Sequence, residues 1–96
     1  MAKEKTAVER MEFIKIEEAS KIIRCADLMM EGTPICLDFR ELKNSDAERC
    51  LNFLQGVNYA TDGNVVELKN KVYVFATKRD LRDASMKDFI KEYKEN

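Results

Sequence analysis

The sequence predicts an α/β fold, a two-layer sandwich in which a mixed sheet carries two main helices on one face and a short helix closes the chain. Three observations point there. Apolar residues alternate with period two in four short runs rich in β-branched and aromatic residues. Between them the period changes to that of a helix, twice, over 17–32 and from residue 45 onward. The elements then follow the order βαβαββ(α), and a strand, helix and strand within about 30 residues form a parallel βαβ unit. At 96 residues the chain is read as one domain, with 1–10 a polar, frayed arm and 11–96 the core.

Each element has its own signal. "MEFIKI" (11–16) alternates and is the first strand. "EEASKIIRCADLMMEG" (17–32) places Ala19, Ile22, Ile23, Ala26, Met29 and Met30 on one stripe, with Glu17 and Glu18 in the first turn, where the positive end of the helix dipole favours carboxylates. Gly32 followed by Thr33-Pro34 ends it. "PICLDF" (34–39) is the second strand. Ser45-Asp46-Ala47-Glu48 matches a capping box, and Ala47, Cys50, Leu51, Leu54 and Asn58 fall on the stripe that follows. After Asp62-Gly63 come "NVVEL" (64–68), the turn "KN" and "KVYVFA" (71–76), an antiparallel hairpin. Met86, Phe89, Ile90 and Tyr93 mark a last amphipathic helix, with Ser85 as its cap. On the hairpin Val72 and Val74 face one way and Tyr73 and Phe75 the other; the aromatic pair is expected on the outer face, under the C-terminal helix, the N-terminal arm or a partner.

Composition narrows the function classes. Lys plus Arg total 17 against 18 Asp plus Glu, a mixed balance that argues against nucleic acid as a partner. No run of about 18 apolar residues occurs, and "MAKEKTAVE" has no apolar core, so a cytoplasmic chain is expected, with neither a membrane span nor a secretory signal. Histidine, the commonest general base, is absent. Gly32, Gly56 and Gly63 are too far apart for a phosphate loop. Cys25, Cys36 and Cys50 have no metal-ligand spacing and read as buried apolar side chains. The residues therefore describe an interaction module without metal or cofactor, not an enzyme.

The stretch 46–77, "DAERCLNFLQGVNYATDGNVVELKNKVYVFAT", resembles the core of the SepF cell-division family. The resemblance lies in Asp46-Ala47, Phe53-Leu54-Gln55-Gly56, Tyr59-Ala60, Asp62-Gly63 and the hairpin Val65 to Ala76, and it extends back to residue 11 through "EEASKIIRCADLMMEGTPICLDF". The Cys and Met content and the extra C-terminal helix lean toward an archaeal SepF-like branch.

The resemblance implies a cytoplasmic adaptor at the division site. Such proteins form homodimers, assemble further, bind the C-terminal tail of FtsZ and tether its filaments to the membrane through an N-terminal amphipathic helix. "MAKEKTAVER" has too few apolar residues for that helix, so a membrane partnership is expected only where an anchor precedes the core. Ala47 and Tyr73 match positions that bind the tail in the family. Glu67 and Phe75 are added from what reads as the outward side of the same strands, and Glu67 calls for a compensating charge on the tail. In the family the glycine at the position of Gly56 lies on a helix face tied to self-assembly, so Gly56 is assigned a packing role, between dimers or against the sheet; a glycine within a helix costs about 1 kcal/mol against alanine and often marks close backbone approach. The alternatives are a dimeric small-molecule-sensing regulatory domain and, on residues alone, an enzyme using a cysteine.

Overall fold

The computed structural model describes residues 4–95. Four strands, β1 (Glu12–Lys15), β2 (Ile35–Asp38), β3 (Gly63–Lys69) and β4 (Val72–Thr77), form one sheet in the order β1-β2-β4-β3. β1 and β2 pair in parallel, while β4 runs antiparallel to both β2 and β3. The helices are α1 (Ala7–Arg10), α2 (Ile22–Met30), α3 (Asn44–Thr61), α4 (Lys78–Leu81) and α5 (Ala84–Tyr93). The α/β sandwich is therefore the one expected, with the last strand of the chain inserted at the sheet centre.

One face of the sheet packs on α2 and α3. Ile35, Leu37 and Phe39 meet Cys25, Ala26, Met29, Cys50 and Leu54 there, together with Phe75. The opposite face is also apolar: Cys36, Val72, Val74 and Ala76 lie under Ala7 and Met11 on one side and Met86, Phe89 and Ile90 of α5 on the other. This corrects the expected facing of the hairpin. Tyr73 and Phe75 pair with Leu37 and Ile35 and share their helix-covered face. Val72 and Val74 form the outer face, and α5 with the N-terminal arm covers that pair instead. Pleat alternation separated the two pairs correctly; which pair met the long helices depended on the register with β2.

Helix ends account for most other differences. A 3₁₀ turn at Ala19–Lys21 precedes α2, so Glu17 and Glu18 lie before the helix and are exposed. The buried stripe of α2 is Ile22, Cys25, Ala26, Leu28 and Met29, whereas Ile23 and Met30 face out. Gly32 ends α2 as expected: at φ +82° it closes a Schellman motif, with its N–H on Met29 O (3.0 Å) and that of Thr33 on Leu28 O (2.9 Å). Lys43 is the N-cap of α3, with no side-chain hydrogen bond, so Ser45 lies inside the first turn and its capping box does not form. Asp83, not Ser85, is the N-cap of α5. A capping box forms instead in the arm expected to be frayed, between Thr6 and Glu9 at the start of α1.

The arm is latched onto the C-terminal region. Arg10 pairs with the largely buried Asp80. The Ala7 N–H donates to Asp83 (3.3 Å) and the Val8 N–H to the Ser85 hydroxyl (3.3 Å), which in turn donates to Asp83. The Ser85 hydroxyl and then the Ala7 N–H hold the Asp83 carboxyl below the usual carboxylate range. Arg40 does the same for Asp38 through hydrogen bonds of 2.7 to 3.0 Å. A lowered folded-state pKa contributes stability that is present above the unfolded value, about 3.9, and lost as pH falls through the folded value. Thermal melts are therefore expected to show stability falling as the pH drops below about 4. Asp83→Asn should flatten part of that slope and loosen α1, read by faster amide exchange at Ala7 and Val8.

Candidate functional site

α3 leads directly into the hairpin. Asp62 takes the left-handed conformation at φ 56°, and its N–H closes the last turn on Asn58 O. Aspartate tolerates that region better than most residues. β3 then runs back beside α3, so its far end and the turn at Asn70-Lys71 lie toward the start of the helix. Lys71, also left-handed at φ 65°, ties this end down: its ammonium donates to Leu42 O (2.8 Å) and its carbonyl accepts from Phe39 N–H (2.8 Å).

The four residues assigned to tail binding have unequal access here. Glu67 and Tyr73 are partners across β3 and β4, on the face that carries α3. Glu67 is exposed. Tyr73 is half-buried, with its ring 5.8 Å from Phe39 and 6.3 Å from Phe75. Burial raises the Tyr73 hydroxyl pKa, and the neighbouring Glu67 carboxylate adds to that rise. Phe75 is fully buried among Ile35, Leu37 and Leu54, and Ala47 is 7% exposed in the same core. Both are therefore core side chains; Phe75 does not lie on the outward side expected from the strand alternation.

Gly56 lies on the exposed side of α3, and a Cβ added there would meet nothing within 4 Å. Its small size is thus not needed for packing against the chain's own sheet. Phe53 (45% exposed) and Tyr59 (94%) stand exposed on the same helix, and Ile23 and Met30 on α2, which packs against α3. Large apolar side chains on solvent-facing helix surfaces suit a protein contact. In the sequence this signal is an apolar stripe too wide for one buried face: Ile23 and Met30 share the helical stripe with Ile22, Ala26 and Met29 yet stay exposed.

The cysteines are poorly placed for chemistry. All three are buried; burial pushes the Cys25 and Cys36 thiols up to about 11 and raises that of Cys50. A thiol of raised pKa is a weak nucleophile at neutral pH. Among the described residues no group of three or more His, Cys, Asp or Glu side chains is placed to hold a metal ion, and no helix is long and apolar enough to cross a membrane.

Together these features define a small α/β domain that presents a half-buried aromatic beside a carboxylate at its hairpin and exposed apolar side chains on its long helices. The family model described as "Cell division protein SepF" matches residues 11–79. Curated proteins of that name are similar to the chain: one from Carboxydothermus hydrogenoformans is 27% identical over 67% of the chain and 47% of its own length. Another, from Streptococcus sanguinis, is 32% identical over 62% and 29%. A third, from Streptococcus mutans, is 28% identical over 86% and 42%. The chain belongs to the SepF family of cell division proteins. It spans less than half the length of the curated relatives it matches.

Proposed function

We propose that the chain is a non-enzymatic adaptor that binds the C-terminal tail of FtsZ at the hairpin surface beside α3, acting in the cytoplasm at the division site. The observation that supports this reading is the half-buried Tyr73 beside the exposed Glu67, within the segment matched to the family. A half-buried aromatic offers an anchoring surface, and a carboxylate beside it selects a tail with a cationic group. Ala47 and Phe75 set the depth of this surface from below. The chain pairs with itself and assembles further through the exposed side of α3 around Gly56, and an N-terminal anchor joined to the core tethers FtsZ to the membrane.

Calorimetric titration with a synthetic FtsZ tail peptide from the same organism tests the tail site. Saturable binding near one peptide per subunit is expected, lost in Tyr73→Ala and weakened in the surface variant Glu67→Lys, with circular dichroism confirming that both remain folded. No binding at millimolar peptide, or undiminished binding by both variants, would sink the tail site and favour a small-molecule-sensing domain, read as thermal stabilisation by a metabolite.

Gly56→Lys separates assembly from folding. It replaces an exposed helical glycine with a good helix former, so the folded chain should gain up to about 1 kcal/mol. Light scattering should show higher assemblies disappearing in the same variant. Unchanged assembly in a folded Gly56→Lys chain would remove α3 as the assembly face.

A further inference from the structure

The second face of the sheet holds an open groove between β1 and the last turns of α5. Its floor is Cys36, Leu68 and Val72, all buried. Its walls are aromatic: the Phe13 ring lies edge-on to Phe89 at 5.9 Å, and Phe89 lies 4.8 Å from Tyr93. Phe13 is 63% exposed and Tyr93 51%, so the walls present ring surface to solvent. The groove offers about 520 Å³ of space open to solvent.

Charge selects among occupants. Lys15, Arg40 and Lys69 line the groove against one carboxylate, Asp38, which Arg40 neutralises by hydrogen bonds of 3.0 and 2.7 Å. Lys15 is paired with Glu41 (3.0 Å), and Lys69 has no ion-pair partner among the described residues. Counting Asp38 and Glu41 against Lys15, Arg40 and Lys69, the rim keeps a single cationic excess, at Lys69, on a chain whose net charge is −1. A second copy docked here about a two-fold axis would bring the unpaired Lys69 of each copy to the same rim, a like-charge arrangement that disfavours pairing. An apolar aromatic trough with a cationic rim fits apolar side chains flanked by carboxylates.

We propose that this groove is a second docking site, which takes a short amphipathic acidic segment of a partner protein. Phe13, Phe89 and Tyr93 hold its apolar side chains and Lys69 a carboxylate. The site is on the opposite face of the sheet from Tyr73 and does not depend on the tail-binding reading.

Amide NMR titration of the chain with a synthetic peptide carrying leucines three and four residues apart and glutamates between them provides the test, beside the same peptide with lysines for the glutamates. The acidic peptide should saturate and shift amides of β1, Lys69 and the end of α5. Its affinity should fall at least about tenfold in Phe13→Ser, in Lys69→Glu and at high salt, about 1.4 kcal/mol or more for each change. Tyr73→Ala should leave it unaltered, which separates this groove from the tail site. Phe13 is mostly exposed, so Phe13→Ser should stay folded, and Lys69→Glu supplies an independent surface variant. Equal binding of the lysine peptide, no binding of the acidic one at millimolar concentration, or full affinity in Phe13→Ser would each overturn the proposal. Self-association that disappears in Phe13→Ser would also overturn it and assign the face to a second copy.

Discussion

Truncating Phe75 to alanine is expected to destabilise the domain by about 3–5 kcal/mol. Phe75 is fully buried on β4 between its strand partners Ile35 and Val65, in the core that also holds Leu37 and Leu54, and the Tyr73 ring lies tilted beside it at 6.3 Å. Removing the ring forfeits its burial and leaves a cavity that a sheet pinned on both sides can close only in part. A domain of this size has roughly 5–15 kcal/mol in total, so the loss is a large share of it. Chemical denaturation should show a lower midpoint with little change in slope. A change below about 1 kcal/mol would mean that Phe75 is not the core side chain described here. The same experiment bears on the tail site: a Phe75 that only supports the surface should weaken binding in step with unfolding, whereas Phe75→Leu should retain both fold and binding.

Gly63→Val should cost about 1–3 kcal/mol. A Cβ at residue 63 would lie 2.6 Å from Asn58 Oδ1 and 3.2 Å from the Ala76 carbonyl oxygen. The carbonyl belongs to the central strand β4 and cannot move without disturbing the ladder. Asn58 is itself 7% exposed, so its side chain has little room to swing away. Valine would otherwise suit a strand, so any loss reports the steric conflict and not β-propensity. Gly63→Ala should be milder, and Gly56→Ala neutral to stabilising, because only Gly63 has neighbours. Thermal melts of the three variants check this ordering; equal effects at residues 56 and 63 would contradict it. The glycine that a turn would most simply explain is thus the one held by packing. The adjacent Asp62 takes the left-handed position of that turn.

The elements of this domain were legible because each is announced locally. Alternation in "KVYVFA" makes a strand, Gly32 before Thr33-Pro34 stops a helix, and the polar "KN" between two apolar runs makes a hairpin. The caps were less legible. Ser45 and Ser85 have the right chemistry, yet each lies inside a helix that begins at or before the residue ahead of it, because the chain enters from a loop whose path is set elsewhere. The candidate site was legible in part. Glu67 and Tyr73 do meet, but through a register shift between Glu67 and Lys69 that the short turn does not announce. Ala47 is buried, as its place on the helical stripe already implied; Phe75 is buried too, on a side that alternation along its strand could not choose.

The sequence by itself determined the α/β class, the order of strands and helices, the hairpin and the family signature between residues 11 and 79. These depend on side-chain period, turn chemistry and residue order, all of them properties of neighbours along the chain. Only the tertiary structure decided that β4 lies between β2 and β3, that Tyr73 and Phe75 face α2 and α3, and that α5 with the N-terminal arm covers Val72 and Val74. The physical reason is that both sides of β4 are apolar, so alternation alone cannot say which side meets which layer. That choice is set by pairing with β2, more than 30 residues away, and by helices at the two ends of the chain competing to bury the remaining face.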